Sequence, residues 1–238
     1  MPLVAHLREL RDRFRNALIA VFVAFLGLFP FANELYTYVS EPLRSLLPEG
    51  SSMIATEVTS PFLTPFKLSL VLAVFVAMPV ILAQLWGFIA PGLYKSEKRI
   101  AIPLLTSSVI LFYAGVAFAY YVVFPLLFGF FTTVGPGDIS VMTDINRYLD
   151  FVLKLFFAFG LAFEVPVAAV ILILTGVVTA DQLANNRSYV IVGCFVMGML
   201  LTPPDVISQT LLALPMWLLF EVGLVMGRAL SRSPNEDE

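Results

Sequence analysis

Two short runs set a carboxylate among cations, and a third carboxylate stands nearly alone in an apolar stretch. Glu9 lies in His6-Leu7-Arg8-Glu9-Leu10-Arg11, and Glu97 in Leu93-Tyr94-Lys95-Ser96-Glu97-Lys98-Arg99. An ionised carboxylate grips a guanidinium through charge-assisted, often bidentate hydrogen bonds, so two of them on one patch suit a ligand with paired arginines. The ordinary alternative is that each pairs with neighbouring lysines and arginines at a helix end, worth about 0–1 kcal/mol. Glu164 poses a different problem. It is fourteenth in a run of 28 residues, Phe151 to Val178, whose only other charge is Lys154. An ionised group at a bilayer midplane costs roughly 2.5–3.5 kcal/mol, so this carboxyl is protonated, paired, or turned toward water or a polar partner.

Other chemistry is missing from the sequence. It holds no glycine-rich phosphate loop and no paired-cysteine metal spacing, and the single histidine, His6, precedes the first apolar segment. A lone cysteine, Cys194, permits no internal disulfide and sits in an apolar segment, where packing is its expected role. These absences point away from an enzyme, and no catalytic residue, metal ion, cofactor or nucleic acid is expected.

The elements that must position these carboxylates are membrane helices. The chain of 238 residues is 59% hydrophobic and only 13% charged, with a mean hydropathy of +0.91, against roughly 25% charged residues in an average soluble domain. Six apolar segments follow one another: Asn16 to Ala32, Leu68 to Ala90, Ile100 to Phe131, Phe151 to Val178, Tyr189 to Leu201 and Val206 to Gly227. With flanks they predict spans over 16–33, 66–90, 100–131, 149–178, 188–202 and 206–227 within a single membrane domain, 1–238. Thr202-Pro203-Pro204-Asp205 breaks the last two into a hairpin, because paired prolines remove donors and stop a helix. The thirteen residues of Tyr189 to Leu201 give only about 20 Å of helix, short of a ~30 Å hydrocarbon core.

Charge sets the expected orientation. Ten of the 14 lysines and arginines flank the segments on one side, and Arg44, Arg147, Lys67 and Lys154 make up the remainder. By the positive-inside rule both termini are cytoplasmic. Between the first two spans, Leu35, Val39, Leu43, Leu46 and Leu47 recur at helical spacing, which predicts an amphipathic helix on the outer membrane face, bent at Pro42. Prolines at 79, 103, 125 and 166 fall inside spans and predict kinks. The fold expected is an all-α integral membrane protein of six kinked transmembrane helices in a concave bundle.

Several motifs then make the chain recognisable. Phe88-Ile89-Ala90-Pro91-Gly92-Leu93-Tyr94 followed by Glu97-Lys98-Arg99, Glu9-Leu10-Arg11 before the first span, Ala162-Phe163-Glu164-Val165-Pro166, and Met199-Leu200-Leu201-Thr202-Pro203-Pro204-Asp205 occur in order. Together they resemble TatC, the multispanning receptor of the twin-arginine protein translocase, over essentially the whole chain. The resemblance implies a receptor for twin-arginine signal peptides of folded cargo. It also implies assembly with single-span TatA- and TatB-type subunits, self-association, and a place in the bacterial inner membrane driven by the proton-motive force. Glu9, Arg11, Phe88 and Glu97 would form the signal-peptide site and Glu164 an intramembrane polar site. Pro42, Tyr120 and Asp205 would match outer-face or structural positions, and Met199, Leu200, Thr202 and Gln209 the contact with partner subunits. One departure is that Ala184-Asn185-Asn186-Arg187 is less basic than the corresponding loop of many relatives.

Read from the residues alone, two other classes stay open. A proton-coupled small-solute transporter would use Glu164 and Asp205 at a midplane pocket. A channel would need a ring of polar pore-lining residues, best supplied by an oligomer.

Overall fold

The computed structural model describes residues 3–45, 53–89, 98–134, 142–201 and 206–231. Among these the regular structure is helical, apart from one isolated backbone pairing of Ile54 with Asp144. The helices are α1 (Leu3–Leu28), α2 (Ala32–Arg44), α3 (Ser60–Val76), α4 (Met78–Ile89), α5 (Lys98–Phe118), α6 (Phe124–Val134), α7 (Ile145–Ala162), α8 (Val165–Leu174), α9 (Ala180–Asn185), α10 (Arg187–Leu201) and α11 (Val206–Ser231). Four described runs are long and apolar enough to cross a membrane: Leu7–Arg44, Ile102–Phe130, Ile145–Leu174 and Val206–Ala229. Helices α3 and α4, bent by 49° at Ala77, make a fifth if they count as one span, and α10 is a shorter apolar helix.

Three prolines coincide with breaks in the long helices, while Pro65 and Pro215 lie inside α3 and α11 without one. A proline lacks the N–H that would bond four residues back, and its ring crowds that carbonyl, so disruption falls in the preceding turn. Pro79 follows the bend at Ala77, Pro125 follows the π-helical turn Ala119–Val123, and Pro166 follows the gap between α7 and α8. Pro103 departs from this pattern. It lies near the start of α5, which stays helical from Lys98 to Phe118, so the carbonyl it strands, that of Arg99, is one residue inside the helix end. Pro42 likewise leaves α2 unbroken, and it lies only two residues before the helix ends at Arg44.

Two compact units emerge, one of Met1–Leu105 with Phe124–Lys154, the other of Thr106–Val123 with Leu155–Glu238. In the first, α1 packs on α3 and α4 while α2 packs on α3 and α6. The side of α1 turned inward carries Glu9, Arg13, Ala17, Ala20, Ala24 and Leu28, a stripe at three- and four-residue spacing. Its alanines let the helix backbones approach. Phe66 of α3 meets Phe25 and Phe29 edge-on, with ring centroids 5.4 and 5.9 Å away.

Helix α2 does not stand apart as a separate surface helix. It runs on from α1 through the single 3-10 turn Phe29–Phe31. Its apolar stripe is covered by protein, with Val39 and Leu43 each 5% exposed, and the Tyr148 hydroxyl donates to the Val39 carbonyl at 3.0 Å. Leu46 and Leu47, which were expected to extend that stripe, lie outside the described residues.

The second unit is held by close helix crossings. A Cβ on Gly115 of α5 would stand 2.4 Å from the Phe159 carbonyl oxygen of α7, and one on Gly223 of α11 would stand 2.6 Å from the Pro166 Cα of α8. Only glycine permits those backbone distances. Helix α10 spans 15 residues, about 22 Å at helical rise, so its flanks lengthen it by two residues beyond the apolar segment. A Cβ on Gly198 would lie 3.3 Å from the Gln209 carbonyl of α11, which fixes how these two helices cross. Glu221 sits well inside α11. Its partner is Arg187 at the start of α10, through two bonds of 2.6 and 2.8 Å, and Arg228 meets Asp181 of α9 instead. Residues 221 and 228 lie two turns apart on one helix, roughly 10 Å along its axis, whereas Arg187 approaches from a neighbouring helix.

Candidate functional site

In the first unit, packing of α1 on α4 brings Glu9 to the helix that carries Phe88. Arg13 Nε and Nη2 donate to Glu9 Oε1 at 2.9 and 2.6 Å, and Arg13 Nη1 reaches the Gln84 carbonyl at 3.5 Å. Both side chains are about one-third exposed, 33% for Glu9 and 28% for Arg13, so the carboxylate is oriented and still reachable. Both Arg13 donors fall on Oε1, and no donor from the described residues meets Oε2. Phe88 sits half-buried one residue beyond Gly87, against which the Arg13 guanidinium lies.

Arg11 is not drawn into this contact. It lies two residues from Glu9, about 200° around the helix, and is paired with Asp12 at 2.9 Å with its side chain 70% exposed. Glu97 lies outside the described residues. Arg13, Gln84 and Gly87 were missed in the sequence. An acidic residue four before a basic one on a helix was the available signal for Arg13.

In the second unit, Glu164 occupies the break between α7 and α8. Its backbone N–H donates to the Leu161 carbonyl at 3.0 Å and its carbonyl accepts from Ala168 at 2.9 Å, while Pro166 cannot bond back to Ala162. The side chain is half-buried. The Ser108 hydroxyl of α5, itself 1% exposed, hydrogen-bonds the carboxyl, whereas Oε1 is buried without a partner. Phe118 packs its ring on Phe159 and Phe163 next to this break. A carboxyl oxygen with unused capacity among aromatic and aliphatic groups offers a polar foothold to something that enters from the apolar side. Ser108 was also missed, because a serine within an apolar span reads as packing until its neighbour across the helix interface is known.

The remaining sequence candidates are dispersed. Met199 and Leu200 are 51% and 67% exposed on α10, and Gln209 is half-buried on α11 beside Gly198. Thr202 and Asp205 lie outside the described residues. Tyr120 is in the π-helical turn with its ring 4.9 Å from that of Tyr121. Cys194 packs beside Leu201 and Leu219 against Ala158, Ala162 and Met216, consistent with a packing role.

A third cluster joins the segment before α3 to the start of α7. Asp144 Oδ2 accepts from the Thr56 hydroxyl at 2.6 Å and the Thr56 N–H at 3.0 Å, while Oδ1 caps α7 through the N–H groups of Asn146 and Arg147, each at 3.0 Å. The Thr56 hydroxyl above all, with the Arg147, Thr56 and Asn146 N–H groups, holds the carboxyl down at a pKa of about 2. This latch fixes structure rather than offering a site. An aspartate just ahead of an apolar-periodic helix was its sequence signal. Among the described residues, no group of three or more metal-binding side chains converges.

A profile of the family described as Sec-independent protein translocase protein (TatC) matches residues 5–215. The chain belongs to the TatC family. It is 65% identical over 227 residues to the Sec-independent protein translocase protein TatC of Azotobacter chroococcum mcd 1, with 95% of this chain and 89% of that one covered. To the TatC of Escherichia coli strain K12 it is 57% identical, over 95% of this chain and 88% of the relative. Two crystal structures of the twin arginine translocase receptor TatC superpose on it. One has a TM-score of 0.85 at 41% identity, covering 93% of this chain and 99% of that structure. The other has a TM-score of 0.83 at 40% identity, covering 95% and 100%. TatC is a protein translocase component, not an enzyme, so the family requires no catalytic group of this chain.

Proposed function

We propose that this TatC chain is the receptor subunit of a twin-arginine translocase. It captures the diarginine segment of a signal peptide on Glu9 and Glu97, with Phe88 flanking the contact. The observation that carries this reading is the Glu9 carboxylate, set by its packed helix stripe against α4 while about one-third exposed. A preorganised carboxylate loses little freedom when a guanidinium binds. The apolar part of the signal peptide gains by leaving water and finds a polar contact at Glu164. Arg11, 70% exposed, is left a role at the rim.

In this account the chain crosses the bacterial inner membrane six times, with α3 and α4 as one bent span and α10 as a short one. Both termini face the cytoplasm, in line with the ten lysines and arginines gathered on that side. TatA- and TatB-type single-span subunits pack along α10 and α11 at Met199, Leu200, Thr202 and Gln209, where exposed apolar side chains and a short helix favour association. Pro42, Tyr120 and Asp205 act by shaping the opposite side, and the proton-motive force supplies the drive. The test is photocrosslinking of a twin-arginine signal peptide from probes at positions 9, 88 and 97 in native membranes. Adducts at all three that disappear with a dilysine peptide support the site, and adducts insensitive to that change refute it.

A further inference from the structure

Glu9 does not wait with an empty carboxylate. Arg13, one helical turn on, already holds Oε1 with two donors, and its third nitrogen leans on the Gln84 carbonyl of α4. The guanidinium lies in space that glycine leaves open, because a Cβ at residue 87 would stand 2.1 Å from Nη1 and 2.9 Å from Cζ. The pair is too open to water for a locked structural bridge and too covered for a freely solvated one.

We propose that Arg13 is a resident stand-in for the ligand's arginine, which it resembles in charge and shape, and that docking is an exchange of one guanidinium for another on Glu9. The inference deepens the reading of Glu9 as a docking residue and rests on it. Before docking, Arg13 spares the carboxylate from facing a half-covered site without a cation. On docking, a ligand arginine takes the carboxylate and Arg13 swings away from the α4 backbone. Lysine offers a point charge in place of a planar fork and competes poorly with a fork already in place. Arg13 and Gly87 therefore set a threshold that favours arginine over lysine, at some loss of affinity for both.

The test titrates fluorescently labelled signal peptides carrying Arg-Arg or Lys-Lys onto the full chain purified in detergent, read by anisotropy, for the parent, Arg13→Gln, Gly87→Ala, Glu9→Gln and Arg13→Gln/Glu9→Gln. Arg13→Gln removes the competitor. Gly87→Ala pushes away the flexible end of a side chain rather than backbone, so the fold survives it, and equal melting temperatures verify this. Exchange predicts that both variants bind the diarginine peptide about two- to fivefold tighter, the range expected for an ion pair between exposed and half-buried. The dilysine peptide gains at least as much, and the effect of Arg13→Gln vanishes when Glu9 is glutamine. If Arg13→Gln binds no tighter than the parent while Glu9→Gln binds weakly, the exchange is wrong and the docking site stands. If Glu9→Gln binds as well as the parent, the docking site itself is wrong and the exchange falls with it.

Discussion

Replacing Glu164 by alanine should impair export far more than replacing it by glutamine. The Ser108 hydroxyl, 1% exposed, meets this carboxyl across the interface of α5 and α7. Glutamine keeps an oxygen of the same reach to accept that hydrogen bond and fills the same volume. Alanine leaves the hydroxyl buried without its partner, at a cost of about 1–3 kcal/mol, and opens a void at a point where the helix is already broken by Pro166. At about 1.4 kcal/mol per factor of ten, that penalty lowers the population of the competent arrangement by roughly 5- to 150-fold. The assay is export of a folded fluorescent reporter behind a twin-arginine signal peptide, normalised to the amount of receptor in the membrane. Glutamine should retain export within about twofold, and alanine should fall at least about fivefold. Equal loss in both variants would refute the hydrogen-bonding account, because only an ionisable group is then sufficient, as a proton relay requires.

Other consequences are equally direct. Asp144→Ala should lower the melting temperature in detergent by uncapping α7 and releasing Thr56. Because the folded carboxyl has a pKa of about 2, below its ordinary value of 3.8, its contribution is complete above roughly pH 4 and is lost as the pH falls toward 2. The gap between parent and variant should therefore close over that interval, and a constant gap would contradict the latch. Gly115→Ala places a methyl 2.4 Å from the Phe159 carbonyl oxygen, where backbone must yield, and should cost about 1–3 kcal/mol of stability in a denaturant titration. Adding four leucines to α10 lengthens it by about 6 Å and should reduce export if mismatch at this helix recruits partners or thins the bilayer; undiminished export would count against that role.

Much of the helical layout was legible because hydropathy and proline are strong signals in a membrane chain. Pro79, Pro125 and Pro166 mark breaks since each removes a donor that lipid cannot replace. The covering of the α2 stripe was not legible, because Val39 and Leu43 have the same apolar character whether lipid or protein covers them. The candidate site was legible only as residue types with a characteristic chemistry, such as the carboxyls of Glu9 and Glu164. Neighbours supplied by another helix were not legible. Ser108, Gln84 and Gly87 carry no signal until α5 meets α7 and α1 meets α4. The pairing of Glu221 with Arg187 has the same origin, since it forms only where α10 and α11 meet.

The central claim is that two carboxylates capture a paired-arginine tag. Its most direct test is the affinity of the full chain for a twin-arginine signal peptide, with parent and Glu9→Gln/Glu97→Gln compared in the same detergent and at the same salt. Loss of two charge-assisted contacts of about 1.5 kcal/mol each predicts binding weaker by at least about 100-fold. A double variant that binds within about threefold of the parent, some 0.7 kcal/mol, would contradict the account.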